Sequence, residues 1–154
     1  MENKIKLAEA LSERKDLQTR LEQLEERLKA NVKVQEGDKP AEKPDELLAE
    51  LDRCLTRLEF LIFHINITNT QTIVDGESLT ALIAKKDILT QRISIMRSAL
   101  ERSLTTNERY SRSEIKFVTT IDTKKIRKEV DAYSQQLRLL ELKIQATNYS
   151  TDLM

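Results

Sequence analysis

The chain has 154 residues, of which 34% are charged and 39% hydrophobic with no Trp, enough for one domain that buries roughly 70% of its unfolded surface. Its 26 basic and 26 acidic residues cancel, so no global field favours a polyanion, although Lys85 to Lys128 holds twelve basic against five acidic residues. One cysteine, Cys54, excludes an internal disulfide and a cysteine-based zinc cage, and one histidine, His64, excludes a multi-histidine site.

From about residue 3 to 33 the chain reads as one helix. Leu7, Ala10, Leu17, Leu21, Leu24 and Leu28 keep a spacing of three or four, and Arg14 takes one seam position. The start, MENKIKLAEALSERK, has no apolar core of a signal peptide, so a cytoplasmic location is expected. Gly37, Pro40 and Pro44 then mark a loop.

A second helix is expected over about 44–69. Pro44 suits its first turn, where a missing N–H leaves nothing unpaired, and Asp45 and Glu46 oppose the helix dipole. Leu47, Leu51, Cys54, Leu58, Leu61 and Ile65 form the seam, and Leu48, Leu55 and Ile62 widen it. With Phe60, Phe63 and Ile67 added, the C-terminal half is apolar almost all round, so this helix is expected at the centre of the fold. The run Leu58–Ile67 is too short to span a bilayer, which takes about 20 residues.

NTQTIVDGES ends that helix, with Gly76 in a turn and Ser78 as N-cap of a third helix over about 78–104. Its seam is Leu79, Leu82, Lys86, Leu89, Ile93, Met96 and Leu100. A fourth helix, about 122–147, starts at Asp122 as N-cap, with Ile121 and Ile126 at staple spacing. Its seam runs through Ile126, Val130, Tyr133, Leu137, Leu140 and Ile144. The expected fold is all-α: a long-helix, coiled-coil-like four-helix bundle in a single domain over 1–154, with homo-oligomerisation implied by the wide apolar faces.

Between the third and fourth helices, Ile115 to Ile121 alternates like a β-strand, with Ile115, Phe117, Thr119 and Ile121 on one side. A lone strand leaves its backbone unpaired, so it is expected either to cross the bundle or to pair with its own copy in a second subunit. Arg109, Tyr110, Arg112, Glu114 and Lys116 lead into or lie on this segment and are candidate interface residues.

Chemistry-bearing constellations are scarce. Paired acids such as Glu25/Glu26 belong on solvated helix faces, and His64 has no acid–nucleophile company, so it reads as a hydrogen-bonded core or rim histidine. Cys54 on the seam reads as a small buried hydrophobe. Asn66 and Asn69 in HINITN are candidates for capping, register setting or ligand contact. Arg14 and Lys86 are expected at the rim with their stems buried. No enzyme, cofactor or metal site is expected. Nucleic-acid binding through residues 85–128 is a weak alternative, since glutamates interleave with the basic residues.

KLAEALSERKDLQTRLEQLEERL, HINITNTQT, RYSRSEIKFVTTID and the closing ATNYSTDL together resemble a small bacterial family of septicolysin-like helical proteins of otherwise unknown function. The resemblance implies a helical, oligomeric fold. The name implies a membrane-active cytolysin, for which this sequence offers no spanning segment and no long amphipathic strand hairpin.

Overall fold

Leucine at three-or-four spacing makes the first two helices a pair. A computed structural model describes residues 4–105 and 115–154, and in it α1 spans Leu7–Asn31 and α2 spans Pro44–Gln71. Leu24 packs with Leu47 and Cys54, flanked by Leu17, Leu21 and Leu28. Cys54 is buried here as the apolar seam residue expected.

Three ion pairs rim this core, two from α1 to α2 and one from α1 to the loop that precedes α2. Glu13 accepts two bonds from Arg57, at 2.7 and 2.8 Å. The Arg20 Nε donates to Glu50 at 2.8 Å, and Arg27 holds both oxygens of Glu42. The α1 members are one heptad apart, so the pairs repeat along the seam at about 10.5 Å. At the hairpin end, buried Asn31 donates to the Arg27 carbonyl at 2.8 Å and accepts the Glu42 N–H at 2.9 Å. It thereby ties the last turn of α1 to a loop amide that would otherwise lack this partner.

After α2 the chain turns through a two-residue hairpin. Strand β1, Ile73–Val74, pairs antiparallel with β2, Glu77–Ser78. The linking residues have positive φ, 51° at Asp75 and 84° at Gly76. That combination is the two-residue turn that Asp-Gly favours, because its twist matches that of the strands.

Helix α3 spans Leu79–Leu104 and α4 spans Thr123–Ser150. Asp122 caps α4 as its sequence indicates: its Oδ1 accepts the Lys125 N–H at 3.1 Å. Leu82, Ile93 and Val130 are buried, while Arg14 and Lys86 are half-buried. The four long helices thus occur in the expected order, and the class is all-α.

Ile115–Ile121 forms no ladder among the described residues, where the sheet pairing falls at 73–78. One feature differs from expectation: the C-terminal half of α2 is not covered on all sides, since Leu61, Ile65 and Thr68 are buried whereas Phe60, Ile62 and Phe63 are exposed.

The chain divides into two compact units: Met1–Ser78 with Gln145–Met154, and Leu79–Ile144. In the first unit, α1 and α2 pack closely along their length. In the second, α3 and α4 stand further apart and are bridged by arginines. Arg92 donates to the Tyr133 hydroxyl at 3.0 Å with its guanidinium 5.0 Å above the ring, and Arg97 donates to Ser134 at 3.3 Å.

Candidate functional site

Polar and aromatic residues gather in the first unit where α2 meets both ends of the chain. The rule that buried polar groups need partners explains most of what happens there. Thr68 is fully buried: its hydroxyl donates to the His64 carbonyl at 2.7 Å and accepts the Met154 N–H at 3.0 Å. The His64 ring donates from Nδ1 to the Met154 carbonyl, which fixes the proton on that nitrogen. Phe60 lies 4.0 Å from the same ring between centroids, and Phe63 meets it edge-on at 5.3 Å. His64 is therefore the hydrogen-bonded rim histidine its sequence context indicates.

The last four residues complete this clasp. Leu153 N–H donates to the Ile5 carbonyl and Leu7 N–H to the Thr151 carbonyl, both at 2.9 Å, around a Lys6–Asp152 bridge. Lys6 also pairs with Asp152 through side chains at 2.5 Å, and that ammonium holds the Asp152 carboxyl below the usual carboxylate range. The sequence signal for this arrangement was thin. NYSTDLM has no period, and Thr68 in an apolar turn of α2 was its one visible trace.

Asn66 and Asn69 flank the clasp on α2 without joining one site. Asn66 is exposed, and its carbonyl accepts the Thr70 hydroxyl at 2.9 Å. Asn69 is half-buried with its Oδ1 buried and unbonded, as are Thr72 Oγ1 and Asn148 Oδ1. No shared geometry assigns these three oxygens to one ligand.

The other candidate lies in the second unit. Arg109, Tyr110, Arg112 and Glu114 lie outside the described residues, and Lys116 is exposed. Beyond it the backbone is neither helical nor laddered as far as Thr120, and it bends at Ile121. Ile115, Phe117 and Val118 are 92%, 75% and 80% exposed. The Thr119 hydroxyl anchors the segment by donating to the Ser103 carbonyl at 3.0 Å, at the end of α3. A cavity of about 590 Å³ lies between them, lined by Arg102, Leu104, Phe117 and Thr119 among others. Apolar side chains in water and backbone groups without a ladder make this an open surface of the kind that sheet edges present.

Residues 14–153 match the model of a family of unknown function, DUF6847. The chain belongs to this family. This DUF6847 protein is similar to the crystal structure of a functionally unknown conserved protein from Corynebacterium diphtheriae, with 38% identity and a TM-score of 0.92. The alignment covers 99% of this chain and 100% of that one. No curated protein matches the DUF6847 chain.

Proposed function

We propose that this protein is a cytoplasmic, non-enzymatic interaction protein that works as a homo-oligomer, with Ile115–Ile121 at the junction between copies. One observation carries this reading: a segment of strand-like alternating sequence stands with Ile115, Phe117 and Val118 in solvent and no ladder partner among the described residues. Main-chain groups of such a segment gain most from a second strand, which supplies hydrogen bonds while alternate side chains supply specificity. A second copy of the same segment offers both.

Light scattering on the full chain tests it. The native mass is expected above that of one chain, and Phe117→Ser with Val118→Ser is expected to lower it, since both side chains lie outside the core. A wild-type protein that stays monomeric at all accessible concentrations would overturn the reading.

A septicolysin-like, membrane-active role is the second reading, drawn from the resemblance and from the same exposed apolar residues. No described helix is long and apolar enough to cross a membrane. Dose-dependent dye leakage from liposomes would favour it over assembly. Nucleic-acid binding through residues 85–128 is the third, and a gel shift at low salt that vanishes at moderate salt would favour that one.

A further inference from the structure

The second helix carries an apolar row that its own hairpin leaves uncovered. Leu48, Leu55 and Ile62 recur every seven residues and are about half exposed. Asp52 and Glu59 recur at the same interval beside them, and neither makes an ion pair among the described residues. At 100° per residue these five positions fall within an arc of about 80°. They form one face, acids to one side and aliphatics to the other.

Helix α3 presents the matching pattern with opposite charge. Ile88 and Ile95 are 58% and 62% exposed, seven residues apart, and Lys85 and Arg92 recur at the same interval beside them. This face borders an open, mostly apolar groove of about 630 Å³ within the second unit, where Ala84, Ile88 and Leu89 face Tyr133 and Leu140. Arg92 stands over the Tyr133 ring at 5.0 Å, which holds its charge at the groove's edge.

The handedness of the two patterns fixes the direction of fit. Viewed from each helix's N-terminus, the acids of α2 and the bases of α3 lie on the same side of their aliphatic rows. Only antiparallel helices bring those two charged sides together. In that orientation, setting Asp52 opposite Arg92 puts Glu59 opposite Lys85, because both intervals are seven residues, about 10.5 Å. The aliphatics then meet as Leu48 with Ile95, Leu55 with Ile88 and Ile62 with Ala81, each pair within about 1.5 Å along the axis. One register satisfies every position.

We propose that the α2 face of one copy docks antiparallel onto the α3 face and groove of another, with Asp52–Arg92 and Glu59–Lys85 as the charge pairs. The proposal rests on the homo-oligomer reading but uses a surface separate from Ile115–Ile121. A second copy is the occupant because the complementary face is in the same sequence, matched in charge sign, interval and sidedness. Charge pairing across such a face selects register and direction, with the aliphatic rows supplying the buried area.

Charge reversal in two halves tests it. Asp52→Lys with Glu59→Lys, and separately Lys85→Glu with Arg92→Glu, are each expected to weaken self-association about ten-fold or more, since like charges then face each other. An equimolar mixture of the two variants is expected to regain the wild-type mass. Independently, Leu55→Cys and Ile88→Cys chains, each with Cys54→Ala, are expected to form a disulfide-linked pair on oxidation when mixed. A wild-type oligomer whose mass survives both reversals, with no mixed disulfide, overturns the α2–α3 pairing and leaves self-assembly standing. A monomeric wild type overturns both.

Discussion

Thr68→Val isolates what the clasp at the chain ends contributes. Valine keeps the shape of threonine, so packing changes little, but it loses the hydroxyl that donates to His64 and accepts from Met154. The His64 carbonyl keeps its place in the helical ladder. The Met154 N–H keeps nothing, because no other acceptor bonds it among the described residues. An unpaired buried donor costs about 1–3 kcal/mol. Met154 is itself exposed and can move its amide into water, so the lower part of that range applies, about 1–2 kcal/mol. In urea unfolding this is a fall in midpoint of about 0.5–1 M at an ordinary slope. Hydrogen exchange supplies the local readout. The Leu7 and Leu153 amides, which bond across to Thr151 and Ile5, are expected to lose protection more than the α1–α2 core. A midpoint shift under about 0.2 M with unchanged exchange at both amides would refute the account of Thr68 as the pin of the clasp.

Two further outcomes follow from the same kind of accounting. The Arg57 hydrogen bond holds the Glu13 carboxyl below its ordinary range, so the unfolded chain takes up that proton first on acidification. The stability it adds is complete above about pH 4.3 and is lost as pH falls through the lower folded value. Glu13→Gln is therefore expected to flatten the acid limb of a stability–pH curve while leaving the slope above pH 6 or so unchanged; an unaltered acid limb counts against the pair. Gly76→Ala meets no neighbouring atom, so its whole cost is the positive φ of 84°. About 1 kcal/mol of destabilisation is expected by calorimetry, and a neutral result would argue against the tight turn.

Local chemistry was the legible part of this chain. Asp122 before a periodic run, Asp-Gly after a β-branched stretch and leucines at three-or-four spacing each act within a few residues, and each appears where its pattern indicates. What stayed hidden depends on partners far along the chain. Glu13 gives no sign in sequence that Arg57 will meet it, because helix pairing sets that register. The clasp joins Ile5 to Leu153 through backbone groups, which leave no residue-type signature, and Thr68 to Met154 through a hydroxyl whose distant partner the sequence does not name. The wide apolar face of α2 indicates burial on several sides, yet Ile62 and Phe63 lie open, because apolarity alone does not say which neighbour, if any, covers a surface. For Ile115–Ile121 the alternation is plain and the pairing is not, since alternation describes one strand and a ladder needs two.

The three ion pairs of the α1–α2 hairpin have a consequence beyond their modest strength. A leucine seam that repeats every seven residues is indifferent to a slip of one heptad, since leucine meets leucine either way. The charges are not indifferent. Along α1 they run Glu13, Arg20, Arg27, and their partners run Glu42 in the connecting loop, then Glu50 and Arg57 on α2. Sliding the helices one heptad in one direction sets Glu13 against Glu50. Sliding them the other way sets Arg20 against Arg57, although it brings Arg27 to Glu50. Each slip thus introduces a like-charge contact, and only the native register gives all three charges of α1 an opposite partner, so the ion pairs favour one alignment of the hairpin.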